Sequence, residues 1–561
     1  MSGFSGIFLF DRKLPDKMES FSFPDKLQDY YLKWKDVAGN DFVLKCYHNG
    51  KFLKDSFVLQ HDEKLLGFDG INLTNTQFEG INNLAGFTKA ISSTNGSFTC
   101  IYKDDKNQEL FLFADQTGSR QLFYYWSSSF FAFSSSIFLL TDILRHFGIN
   151  PTLSVPASYM MLTLGYLLED YTLVSEIKKI KAGHYITASK TGVELNKYHN
   201  YYREVKHNQL TGELLEEIDI RFRRSIELEY KKDQEYGFNH LATLSGGLDS
   251  RLNVMLAHAD GFDDITALTF SEGFKSDELT ARKISGALSL KHIILLLNNG
   301  FQLYDIETPL KLNNCSVYYF GAAQTFAAVK RLNFSDYGLF HNGGLAESSK
   351  GGYLSGKEQI LPRLDKRYAV SDKLFDRIDS GLLNDIFKKY ANEEMFVTYS
   401  RGFNAIHNGS WMTMPFTDSV YTYMNNDFAD LAYSVHPKLR YNGYLTVEWI
   451  NRQHPDLGNY PWHRGIKPTN NRSIKLLAKI SYRLKLILTQ NHDTPVPFNQ
   501  WYEASVKLQQ FITNQFNHSV SWNIIPDEIG EDVKGLFSNG SVTEKLLCIS
   551  YLKSIELLFK P

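Results

Sequence analysis

The stretch from Phe238 to Leu297 constrains the fold more than any other part of the chain. An apolar strand, HLATL, runs into the turn SGGLDS, and the residues after it place Leu252, Met255, Leu256 and Ala259 at i, i+3, i+4 and i+7, the spacing of one helix face. A second strand (ITALTF), a helix starting near Ser276 with Ala281, Ile284 and Leu288 inward, and a third strand (HIILLL) complete a βαβαβ unit. Such a unit requires a parallel sheet with right-handed crossovers, and ligands of these sheets bind at the carboxyl edge of the strands. SGGLDS falls on that edge.

The string Leu244 to Arg251, LSGGLDSR, has the residue types of an anion cradle. Gly246 and Gly247 allow close backbone approach, and the helix that follows presents unpaired N–H groups and the positive end of its dipole. Ser245 and Ser250 add hydroxyl donors. Asp249 suits a magnesium ion better than a phosphate, since magnesium bridges carboxylates to substrate phosphates. A glycine turn before an ordinary helix is the plainer alternative, and the complete Ser-Gly-Gly-x-Asp-Ser string in strand-turn-helix context speaks against it.

Up to about Asn200, short segments rich in Phe, Tyr, Val and Ile (SGIFLF, DFVLKCY, GSFTCIY, ELFLFAD, FFAFSSS) alternate with turn residues, which predicts antiparallel sheets. SSIFLLTDILRHFG is the best helix candidate there. From GELLEEIDIRFRRSIELEY onward, helices alternate with strands. The expected organisation is therefore an antiparallel-sheet domain over 1–200, a doubly wound parallel-sheet domain over 201–470 and a helical extension over 471–561. In the extension, RSIKLLAKISYRLKLIL spaces Ile474, Leu477, Ile480, Leu484 and Ile487 near helical period, with Lys475, Lys479, Arg483 and Lys485 as a basic counter-face. A membrane surface or acidic partner could use it, but docking of the apolar face on the core is the preferred expectation.

Composition excludes several classes. Sixty basic and 62 acidic side chains leave a net charge of -2, which disfavours nucleic acid as the main partner. No apolar run approaches the length of a membrane span, and the opening MSGFSGIFLFDRK lacks the basic start of a secretory signal. Cys46, Cys100, Cys315 and Cys548 form no CxxC pair, so neither a zinc cage nor a disulfide framework is expected, and a cytoplasmic location is.

The SGGLDS string resembles the pyrophosphate loop of the ATP pyrophosphatase superfamily, and within it the chain is similar to the asparagine synthetase family over most of its length. GSFTCIYKDDKNQELFLFADQTGSRQLFYY, with Asp115, Gly118 and Tyr124, resembles that family's N-terminal class II glutaminase domain, of Ntn type. IKKIKAGHY resembles its linker, with Ala182 where proline is usual. TFSEGFKSDELTARKISGALSLKH, with Asp277 and Glu278, resembles its second ATP-loop region. HNGGLAESSKGGY and MPFTDSVY resemble two further segments. The resemblance implies ATP and magnesium as cofactors. Leu244, Ser245, Gly246, Gly247, Asp249, Ser250, Phe270, Gly343 and Gly344 would contact the nucleotide, and Asp249 and Glu347 would hold the metal.

Three departures accompany the resemblance. The chain begins Met1-Ser2-Gly3, whereas the family's glutaminase uses an N-terminal cysteine; a vestigial domain is the expectation. Ala346 stands where an aspartate is expected, leaving Glu347 to supply the second metal carboxylate. For the cation that meets negative charge during adenylation, HPDLGNYPWHRGIKP offers Lys467, with Arg464 as competitor. The resemblance thus implies an ATP-dependent ligase joining a small-molecule or peptide carboxylate to an amine or ammonia, without glutaminase activity, and possible as a homo-oligomer. A tRNA-modifying member of the superfamily and a non-catalytic nucleotide-binding scaffold are the alternatives.

Overall fold

The computed structural model describes residues 2–10, 14–61, 63–462, 465–489 and 496–560. The fold class is the expected one: antiparallel sheets in the N-terminal part, then a parallel sheet, then a helical C-terminal region.

Two antiparallel sheets of seven and six strands stack in the N-terminal part. Strand Gly3–Leu9 is central in the first, between Phe130–Ser134 and Phe42–His48. Strand Gly96–Asp104 lies within the second, between Lys64–Asn72 and Glu109–Ala114. The period of two sends Phe4, Phe8, Leu44 and Cys46 of one sheet against Leu65, Ile101, Leu110 and Leu112 of the other. The outer face of the six-stranded sheet is covered by helix Leu84–Ser93 through Phe87 and Ile91. Helices Ile137–His146 and Val155–Leu164 cover the other outer face. The first of these is the predicted helix, capped by the Ser136 hydroxyl, which accepts from the Leu139 amide. The second has no periodic signal because it is apolar and buried all round.

The parallel sheet has the spatial order Lys291–Leu296, Ile265–Ser271, Asn239–Thr243, Tyr337–Asn342, Ser419–Tyr421. Its strand order reverses at Asn239–Thr243, so a crevice opens beyond the carboxyl ends of that strand and Tyr337–Asn342. Helix Gly212–Glu235 packs beside it through Leu215, Ile218, Phe222 and Ile226. Helix Leu248–Ala259 is buried more widely than one face: Arg251, Asn253 and Val254 are buried with Leu252 and Leu256, and Ala259 is exposed.

Helix Val542–Phe559 closes the C-terminal region with a capping box formed by Ser541 and Glu544. It packs back on the N-terminal part, where the Tyr551 hydroxyl donates to Ser158 Oγ at 3.0 Å. One buried cluster accordingly runs from Ile7 through Leu241 and Trp411 to Leu558, across the expected boundaries at 200 and 470.

The expected docking of helix Arg472–Thr489 by its apolar face is overturned. Leu476, Leu477, Ile480 and Leu484 are exposed, and among the helix's described side chains only Ala478 is buried. Lys485 and Ile487 fall outside the described side chains. Among the described residues, no helix is long and apolar enough to cross a membrane.

Candidate functional site

The SGGLDS turn leaves strand Asn239–Thr243 and enters helix Leu248–Ala259 at the predicted edge. Its two serines hold its shape. Ser245 Oγ accepts from the Gly247 amide at 3.1 Å, and Ser250 Oγ accepts from the Ser245 amide at 3.0 Å. The turn opens on a cavity of about 380 Å³. Leu244, Ser245, Gly247, Asp249, Ser250, Phe270 and Gly343 line it. Apolar side chains of Leu268, Leu297, Phe340 and Val496 also line it, together with Asp277, Gln324, Thr325 and Asn342. A glycine-containing turn at a helix N-terminus presents unpaired backbone N–H groups, the donors that an anion would use.

Glycine is required where backbones meet. A Cβ on Gly343 would fall 2.6 Å from the Ser250 amide nitrogen, so only glycine lets the 342–344 turn close on the helix start. A Cβ on Gly246 would fall 2.5 Å from Asp277 Oδ1. Its close approach is therefore to Asp277, which itself lines the cavity. Gly246 and Gly344 are not among the cavity's lining residues, and neither are Glu347 and Lys467. Lys467 is exposed and donates to Asn459 Oδ1 at 3.0 Å. Arg464 lies outside the described residues.

Sequence reasoning missed Arg251. Its buried guanidinium donates to the carbonyls of Gly246, Leu457, Tyr460 and Pro461, tying the loop that leads to Lys467 onto the SGGLDS turn. Burial pulls its pKa down to about 10. The four carbonyls occupy both terminal nitrogens of the guanidinium, a spread of donors that a lysine could not replace.

It also missed Lys350, which bears on the expected metal pair. Lys350 Nζ donates to Asp249 Oδ2 at 2.6 Å and lies 3.6 Å from Glu347 Oε1. Burial opposes the charge on Lys350, but the two carboxylates outweigh it and raise its pKa. Magnesium needs octahedral oxygen ligands at about 2.1 Å. With an ammonium in the space between them, Asp249 and Glu347 as placed do not fit a shared magnesium. The i, i+3 spacing of Glu347 and Lys350 was visible in the sequence as a signal for this pair.

Among the described residues, one other group has ligand atoms close enough for a metal: Asp233, His240 and His341, all buried. Asp233 Oδ2 is hydrogen-bonded to His240 Nδ1 at 2.8 Å and to His341 Nε2 at 2.7 Å, while Asp233 Oδ1 accepts from the Leu339 amide. Burial pulls the His341 pKa down, but Asp233 and Glu229 outweigh it and push it up to about 9. The group is a hydrogen-bonded charge network joining helix Gly212–Glu235 to the parallel sheet.

In the N-terminal part, Ser2 is buried. The Arg120 guanidinium donates to Ser2 Oγ and to Asp69 Oδ2, and its other terminal nitrogen donates to Asp418 Oδ1. All three charged residues are at most 1% exposed. Asp418 belongs to MPFTDSVY, so this ion cluster crosses from the sandwich to the parallel-sheet part. Asp115 shapes the turn that carries Arg120: its carboxylate accepts from the Thr117 amide at 2.8 Å and the Ser119 amide at 3.2 Å. The same turn is gripped from the other side, where Trp411 Nε1 donates to the Ser119 carbonyl at 2.8 Å.

Residues 81–199 match the family model of a glutamine amidotransferase domain. The chain carries a glutamine amidotransferase-like domain. The match ends before the parallel sheet begins. Comparison with curated proteins finds no match. Among solved structures, the chain is similar to glutamine phosphoribosylpyrophosphate (PRPP) amidotransferase from B. subtilis complexed with ADP and GMP, at 9% identity over 52% of this chain and 59% of that one, with a TM-score of 0.21. A second similar structure, an allosteric regulatory enzyme of purine biosynthesis, is 10% identical over 52% of this chain and 74% of that one, also with a TM-score of 0.21. At these values neither likeness bears on the chemistry of the parallel-sheet site.

Proposed function

We propose that the chain is an ATP-dependent amide ligase of asparagine synthetase type, working from the parallel-sheet cavity. The observation that carries this reading is the SGGLDS turn opening on a cavity of about 380 Å³ at the point where the strand order reverses. A substrate carboxylate attacks the α-phosphorus of ATP, the bond to the bridging oxygen of the β-phosphate breaks, and pyrophosphate leaves toward Ser245–Ser250. An amine then attacks the acyl-adenylate and loses a proton as AMP departs. Adenylation turns a poor leaving oxygen into a good one, and the helix N-terminus meets the charge of the departing pyrophosphate.

The glutamine amidotransferase-like domain serves this enzyme as a structural partner. The buried Arg120 cluster supports that role, because its cation is spent on Asp69 and Asp418 and its hydroxyl contact on Ser2. The amine is then free ammonium or an amine of the substrate itself. Exchange of labelled pyrophosphate into ATP, run against a panel of carboxylates and against a tRNA pool, tests the reading. Exchange dependent on a small carboxylate is expected. Exchange dependent on tRNA alone, or none with any acceptor, would overturn it.

A further inference from the structure

The Lys350 ammonium stands between two carboxylates that a divalent ion would otherwise bridge. Its backbone is fixed there. Lys350 ends the short helix Glu347–Lys350, and Gly351 follows in the left-handed region at φ +60°. A Cβ at Gly351 would meet the Arg440 backbone at 2.8 Å. Arg440 is itself buried and paired through both terminal nitrogens with Glu394, and it donates to the Ser348 carbonyl at 3.0 Å. The lysine therefore projects from an anchored turn. Asp249 is anchored too, because the Tyr423 hydroxyl donates to its carbonyl at 3.2 Å.

We propose that Lys350 is the resident cation of this site, taking the place of a metal ion shared by Asp249 and Glu347. The inference rests on the reading of the cavity as a nucleotide site. An ammonium is a compact point charge with three donors. One donor is on Asp249, which lines the cavity, and Glu347 Oε1 lies 3.6 Å away; Lys350 itself does not line the cavity, so its charge reaches an anion there by neutralising Asp249. A divalent ion and the ammonium cannot occupy the same gap, because like charges a few ångströms apart repel strongly in a partly buried setting. Lys350 is thus a positioning residue that acts through Asp249 on the pyrophosphate end of the substrate, and its loss leaves an uncompensated carboxylate facing that anion. Phosphate binding at the loop proceeds without a divalent ion on these two carboxylates.

The test uses the full chain and two probes. In the first, Mn²⁺ binding is followed by electron paramagnetic resonance without nucleotide. Wild type is expected to show no site that depends on Asp249, Lys350→Met to gain one, and Lys350→Met with Asp249→Asn to lose it again. In the second, inorganic pyrophosphate binding is measured by calorimetry with EDTA and with magnesium. Wild type should keep its affinity in EDTA, Lys350→Arg should stay close to it, and Lys350→Met should weaken by at least about tenfold in EDTA and recover with magnesium. A wild-type Mn²⁺ site removed by Asp249→Asn overturns the proposal, as does equal pyrophosphate binding by Lys350→Met and wild type in EDTA. If no form of the protein binds pyrophosphate or ATP, the nucleotide reading falls. The Mn²⁺ arm then decides Lys350 alone, a gain in Lys350→Met supporting it and no gain overturning it.

Discussion

Two clusters in this molecule have the same composition, one cation between two carboxylates, and they differ in access to water. Arg120 lies between Asp69 and Asp418 with all three side chains buried, at the seam between sandwich and parallel sheet. Lys350 lies between Asp249 and Glu347 with side chains 21–31% exposed, and Asp249 reaches the main cavity. In the first, desolvation makes every charge depend on the others, so the cluster fixes structure. In the second, partial exposure leaves the charges within reach of water, which the proposed anion-binding role requires. Arginine suits the first, where two carboxylates and a hydroxyl use a planar fork, and lysine the second, where one charge must be shared and released.

The sharpest break in this comparison comes from removing each cation. Arg120→Met should leave Asp69 and Asp418 buried and uncompensated, at a cost of about 3–5 kcal/mol, seen as a large drop in denaturation midpoint. Lys350→Met should change stability by less than about 1 kcal/mol, as for other partly exposed pairs. Similar losses in the two variants would show that access does not separate the clusters.

Asp249→Ala should abolish ATP turnover, by about a hundredfold or more, with circular dichroism and melting close to wild type. The reason is its place: it faces the cavity and its carboxylate supports Lys350, while its burial is partial. Near-normal turnover in a folded variant would remove the loop from the chemistry.

The Asp233–His240–His341 network is buried as deeply as the Arg120 cluster and adds a titratable cation. The His341 pKa of about 9 stands above the roughly 6.5 of an unfolded chain. Its contribution, on the order of a few kcal/mol, is therefore fully present below about pH 6.5 and is lost as pH rises through about 9. Urea midpoints measured from pH 6 to 10 should fall across that window, and His341→Asn should flatten the fall. A wild-type profile already flat between pH 6.5 and 9 would contradict the assignment.

These clusters also mark what can be read from a linear chain. The SGGLDS turn was legible because strand, glycines and helix are contiguous and each has a local signature. The Arg120–Asp418 pair was not, since its members are separated by most of the chain and neither has a periodic context. Glu347 and Lys350 lay in plain view at i, i+3, but the resemblance drew attention to a missing aspartate at Ala346 instead of to a cation three residues beyond Glu347. In helix Arg472–Thr489, periodicity correctly gave an apolar row and could not give its partner. Among the helix's described side chains only Ala478 is buried, a residue too small to weigh in any pattern.

The smallest expected effect concerns glutamine, and it tests the closed cluster at its functional end. A serine nucleophile needs a base to take its proton and open space for the amide carbonyl. Ser2 Oγ instead receives an Arg120 N–H and lies 3.3 Å from Asp69 Oδ2, a carboxylate already engaged by the same guanidinium. The arginine draws on the lone pair that would attack, and it holds Asp69 as a counter-ion. Glutamate release from glutamine should therefore be at background in wild type, unchanged in Ser2→Ala, and not gained in Ser2→Cys, because Asp69, the carboxylate nearest the nucleophile, stays engaged by the same guanidinium. Stoichiometric glutamate in wild type, lost in Ser2→Ala, would show that the cluster opens and that burial in the resting fold is not what separates the two sites. Glutamate gained only in Ser2→Cys would place the defect in the nucleophile rather than in the ion pair around it.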